Sequence, residues 1–120
     1  MSDQPMSPSP SEPVLPRPAV TVGALRAAVD RLDPEQTAAF DREFAAFTAE
    51  SAASGSGAPV SAFLRKWAVW VERMRVPATA ARVRELEAAM GAAKTDDEAR
   101  AVAVEMSELL HKITADLVLP

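Results

Sequence analysis

Cysteine, tyrosine and asparagine are absent from this sequence, and isoleucine and histidine occur once each, at Ile113 and His111. Without cysteine there is no disulfide framework, no thiolate metal site and no thiol nucleophile. With one histidine there is no His–carboxylate set at metal spacing and no Ser-His-Asp constellation. His111 itself lies off the apolar stripe of its helix, toward solvent. Only four glycines are present, and Gly55-Ser56-Gly57 lacks the Lys-Ser/Thr and the preceding strand of a phosphate-cradling loop. No apolar run approaches the roughly 18–20 residues of a membrane span. No basic start leads into an apolar stretch of the kind a secretory leader needs. The expectation is a cytoplasmic, non-enzymatic protein with no membrane segment, no catalytic residues, no cofactor and no metal.

The single isoleucine, the absence of tyrosine and the low aromatic content, set against abundant alanine, favour helix throughout. At 120 residues, 48% hydrophobic and 25% charged, the chain has the length and composition of one small globular domain with a tail. Its net charge of −4 argues against nucleic-acid binding by the chain as a whole.

Six of the ten prolines fall in residues 1–20, MSDQPMSPSPSEPVLPRPAV. Proline removes a backbone donor and fixes φ, so this stretch reads as a disordered or polyproline-like tail. Pro10, Pro13 and Pro16 have the PxxP spacing that aromatic grooves recognise. Thr21 is placed to cap a first helix reaching about Arg31, with Val22, Leu25, Val29 and Leu32 on one face. Asp33-Pro34-Glu35-Gln36 predicts a second start by a capping box, followed by Phe40, Phe44 and Phe47 at i, i+4 and i+7. Residues 51–58, SAASGSGA, read as a flexible connection.

Pro59 opens a third helix that places Val60, Phe63, Leu64, Trp67, Val71 and Met74 on one face and Trp70 at its edge. Val69 lies opposite, and Arg65, Lys66, Glu72 and Arg73 take the polar side. Pro77 ends it. A fourth helix, with Val83, Leu86 and Met90, runs to about Ala93. Thr95-Asp96-Asp97-Glu98 then caps a fifth helix, whose Val102, Met106, Leu109, Ile113 and Leu117 form a coiled-coil-like seam. The short link makes an antiparallel hairpin of the last two helices. The fold class predicted is therefore an all-α bundle of about five helices with a disordered Pro-rich N-terminal tail and a C-terminal helical hairpin. Its parts are residues 1–20 as tail, 21–76 as a three-helix region and 77–120 as the hairpin.

The candidate chemistry is confined to surfaces. Asp41 with Glu43, and Glu85 with Glu87, are acid pairs of the kind that solvated helix faces carry in numbers. Arg65 to Arg84 holds six basic residues and one acid, whereas Asp33 to Glu50 holds five acids and one arginine. That asymmetry makes Arg73, Arg75, Arg82 and Arg84 the candidate nucleic-acid contacts of a DNA-binding regulator. A solvated face or a dock for an acidic partner accounts for the same charges. Phe40, Phe44, Phe47, Trp67 and Trp70 are the candidate partner-binding anchors, because aromatic side chains dominate interface hot spots.

The segments 24-ALRAAV-29, 39-AFDREF-44 and 60-VSAFLRKWAVWV-71 together resemble a family of small actinobacterial helical proteins. That family shares an A-L-R-A-A-L-like first helix, an F-[DE]-x-E-aromatic second helix and a third ending in L-x-x-W. Its members are similar to antitoxins and are often encoded beside toxins of the RelE/ParE type. The likeness covers Val22 to Val71, with the hairpin from Ala78 to Leu119 reading as an extension. It implies a protein-binding module that covers a small basic toxin. The alternative from composition and pattern alone is a self-associating structural or regulatory protein, a homo-oligomer built through residues 96–118.

Overall fold

The computed structural model describes residues 9–120. Residues 1–8, which carry part of the predicted tail, lie outside the described set. Five α-helices follow one another: α1 (Val22–Leu32), α2 (Thr37–Ser54), α3 (Ala58–Met74), α4 (Pro77–Ala92) and α5 (Asp96–Thr114), with a 3₁₀ turn (Pro34–Gln36) between α1 and α2. Among the described residues there is no strand, and no helix is long and apolar enough to cross a membrane. The all-α bundle with a C-terminal hairpin is thus what the chain forms.

Local signals account for most boundaries. Thr21 Oγ1 accepts from the Ala24 N–H (3.2 Å) and starts α1. Thr95 Oγ1 accepts from the Glu98 N–H (3.1 Å) while the Glu98 carboxylate reaches back to the Lys94 N–H (2.8 Å), so the second capping motif closes. The first one behaves differently. Asp33 Oδ1 caps the Glu35 N–H (3.2 Å) of a single 3₁₀ turn, and α2 begins at Thr37 without a side-chain cap. The predicted connection over 51–58 is shorter than expected, since α2 continues through Ser54. It stops only at Gly55, whose φ of 69° is left-handed and suits glycine.

α1, α2 and α3 enclose the main core. Phe40 of α2 is fully buried and meets Phe63 and Trp67 of α3 edge-on, with ring centroids 4.9 and 5.2 Å away. Leu25, Ala28 and Val29 of α1, with Ala68 and Val71 of α3, complete the cluster. The hairpin builds a second, thinner core from Ala80, Val83 and Leu86 of α4 and Ile113 of α5. It is not detached: α5 returns to α3, and half-buried Leu119 joins the main cluster while Pro120 O accepts from Arg65 Nη1 (2.9 Å).

The N-terminal expectation needs correction from Ser9 onward. Residues 9–20, which open with a turn closed by the Glu12 N–H to Ser9 O bond (2.9 Å), form a strap across the α3–α4 junction, and Leu15 is buried at 7% exposure among the core residues. The Val14 N–H donates to Arg75 O (2.7 Å), and Pro10 O accepts from the Ala78 N–H (2.8 Å). Those partners are an orphan carbonyl at the end of α3 and an orphan donor at the start of α4. Prolines exclude helix here but do not exclude docking. A proline-rich chain keeps its carbonyls and the N–H groups of its other residues, and this one uses the Pro10 carbonyl and the Val14 N–H to finish two helix ends. The PxxP spacing is therefore engaged within the chain, at Pro10 O and around Leu15.

Candidate functional site

The aromatic candidates separate by position. Phe40 and Trp67 are core residues, with 0% and 3% exposure, so neither is available as a surface anchor. Trp67 Nε1 donates to Glu43 Oε2 (2.8 Å), and Glu43 also pairs with Lys66, whose ammonium lies 5.3 Å from the Trp67 ring. Phe44 and Phe47 are half-buried and lean on Phe63. Trp70 is likewise half-buried. It stacks edge-on to Trp67 (5.4 Å) and floors a groove of about 510 Å³ between α3 and α5. Ala62, Val69 and Leu110 add apolar walls, and Arg65, Lys66 and Arg73 surround them. Trp70 thus stands where its place at the edge of the stripe put it.

The basic asymmetry of the sequence is largely cancelled in space. Arg75, 11% exposed, forks onto Glu72 through Nε (2.9 Å) and Nη2 (2.8 Å), and Arg17 of the strap forks onto the same carboxylate (3.0 and 2.8 Å). Arg75 Nη1 also donates to Leu15 O (3.3 Å). Arg82 bridges Glu85 and Glu105, and Arg73 pairs with Glu87 at 3.5 Å. Of the four candidate nucleic-acid contacts only Arg84 is exposed without an ion pair among the described residues. A phosphate backbone needs several free cations on one face, and these arginines point to the strap, to α4 and to α5 instead.

Glu72 is the other correction. Helical spacing puts it on the polar side of α3, yet it is buried, because the strap covers that side. Burial pushes its carboxyl pKa upward, but the forked hydrogen bonds from Arg75 and Arg17 outweigh that and hold it at about 2. The cluster ties strap to helix and consumes its own charges. Asp41, in contrast, is exposed, and the forked bond from Arg26 (2.8 and 2.9 Å) holds it below the ordinary carboxylate range. His111 is exposed beside Ser107, Glu108 and Lys112. Among the described residues no three His, Asp or Glu side chains are grouped as a metal ion would require.

One face was missed by sequence reasoning. On α5, Asp97, Ala101, Val104, Glu108 and His111 follow at steps of four and three and form one exposed stripe. Val104 in its middle is 51% exposed, and Met90 near the hairpin tip is 40% exposed. Asp97 and Glu108 make no ion pair among the described residues. The signal was present: Val104 is an apolar residue that the Val102–Leu117 seam leaves out.

The molecule is, then, a small helical bundle with a partly exposed Trp70 in a groove on one side and an exposed Val104 on α5. It belongs to a family of unknown function (DUF6247), whose model matches residues 13–114. The match takes in the strap from residue 13 and nearly all of the hairpin. No curated protein and no solved structure matches the chain.

Proposed function

We propose that this protein is a non-enzymatic binding module, antitoxin-like, whose α5 outer face covers part of a small basic toxin of the RelE/ParE type. The observation that carries the reading is Val104, half-exposed between Ala101 and the unpaired acids Asp97 and Glu108. An exposed apolar residue beside two unpaired acids suits a partner of basic surface, with Arg100 one turn before Val104 also exposed on that side. The chain's net charge of −4 acts in the same direction at long range. The resemblance in the first three helices supplies the toxin class.

Co-expression with a RelE/ParE-type toxin encoded beside this chain tests the proposal. The expected result is a complex that co-purifies at fixed stoichiometry and relieves the toxin's growth arrest. No complex and no relief would contradict it.

A further inference from the structure

The strap of residues 9–20 is held to the body by few contacts. Leu15 is its one buried side chain, Pro18 and Val20 are half-buried, and the rest are exposed. To these the strap adds the Val14 N–H to Arg75 O bond (2.7 Å), the Ala78 N–H to Pro10 O bond (2.8 Å) and the fork of Arg17 onto Glu72. Ordering the backbone of the whole segment opposes them. Segments with so few buried apolar contacts lie at the low end of local opening free energies.

The strap also fills its seat incompletely. A hollow of about 220 Å³ is lined by Pro16 and Pro18 of the strap and by the small side chains of Ala24, Ala27 and Ala28 on α1. Departure of the strap leaves no stranded charge, because Arg75 keeps its own fork on Glu72 (2.9 and 2.8 Å) when Arg17 withdraws. The Arg75 carbonyl and the Ala78 N–H then meet water.

We infer that this seat is a recognition site for an extended segment of a partner protein, and that the strap is the internal ligand that keeps it closed. The strap defines what the seat reads. It takes an apolar residue in the place of Leu15 and, two residues later, an arginine aimed at Glu72. The backbone of the segment donates to Arg75 O and accepts from the Ala78 N–H. Those main-chain bonds supply affinity, and the two side chains supply selectivity. A partner segment with a bulkier apolar residue than Pro16 fills the hollow beside α1 and so outcompetes the strap. The site uses none of the α5 outer-face residues, and it does not rest on the toxin reading.

A peptide of the strap sequence, SPSEPVLPRPAV, titrated into the full chain and followed by NMR tests the inference. In the chain carrying Leu15→Asp with Arg17→Glu the strap no longer holds the seat. Saturable binding is expected there, with shifts at the Glu72 and Ala78 amides. The parent should bind the same peptide at least about tenfold more weakly, because its own strap occupies the seat most of the time. The peptide with Pro16→Phe should bind both proteins more tightly than the strap sequence does. Should the double variant fail to fold, Arg17→Ala in the full chain takes its place and should bind more tightly than the parent. Amide exchange on the parent is an independent measure. The Val14 N–H should exchange at least about a hundredfold faster than the Val71 N–H of α3. The inference is overturned by a folded variant that ignores the peptide, or by a parent that binds it as tightly as the variant. Val14 exchange as slow as that of Val71 overturns it as well, and so does a Pro16→Phe peptide that gains nothing.

Discussion

The α1–α3 body and the α4–α5 hairpin are built from the same alanine-rich vocabulary but close in different ways. The body has four phenylalanines and Trp67 around one point, with Leu25, Val29, Phe40, Phe63 and Val71 fully buried. The hairpin buries only Ala80, Val83, Leu86 and Ile113, and leaves Met90 and Val104 in the open. A face that stays partly apolar and uncovered is where a binding function can reside, because a fully closed core has nothing to offer a partner. The strap strengthens the contrast. It adds Leu15 and the Glu72 cluster to the body and reaches α4 only at its first turn.

The sharpest test of the contrast is to hollow the body. Trp67→Ala should cost about 3–5 kcal/mol by cavity formation, and it also removes the indole N–H bond to Glu43. Chemical denaturation checks this, and a loss below about 1 kcal/mol would show the body to be as loosely filled as the hairpin.

Glu72→Gln comes next, at about 3 kcal/mol, since it leaves Arg17 and Arg75 facing a neutral amide. The sign with pH follows from the depressed value. The folded carboxyl titrates at about 2 and the unfolded one near 4.5. Its stabilisation is therefore fully present above 4.5 and is lost as pH falls toward 2. Stability measured across that window should fall in the parent with a component that Glu72→Gln removes. Equal slopes in the two proteins would place Glu72 outside the account.

In the hairpin, Leu86→Ala should cost about 2 kcal/mol, the low end for such a truncation, because its surroundings are thin enough to collapse. Amide exchange should show α4 and the first half of α5 opening below the global free energy, with Phe40 and Phe63 backbone sites at the top. Uniform protection would erase the distinction. The smallest effect is expected of Thr95→Ala, about 1 kcal/mol for a lost cap, seen as faster exchange confined to the first turn of α5.

How legible this was depends on the range of the interactions. Helix identities and most ends were written locally, in Thr21, Pro59, Pro77, Thr95 and in the spacing of Phe63, Trp67 and Val71. Trp67 as core and Trp70 as edge also followed from angle alone. What escaped were residues whose surroundings come from far along the chain. Glu72 sits on a polar arc by periodicity and is buried only because a segment 55 residues away folds over it. Composition marked Leu15 and Arg17 as tail, yet one leucine and one guanidinium suffice to dock it. The run of basic residues from Arg65 to Arg84 looked like a patch because sequence order hides their partners on other elements. Val104 stands outside the Val102–Leu117 seam that packs, and its importance lies in not packing.

The central claim is that the α5 outer face is the partner-binding face, and Val104→Asp tests it most directly. The substitution is at an exposed position and should leave the melting curve within about 0.5 kcal/mol of the parent. Binding of the RelE/ParE-type toxin to this variant, measured by calorimetry, should weaken at least about a hundredfold, as for the centre of an interface. A variant that melts like the parent and binds the toxin equally well would contradict the account.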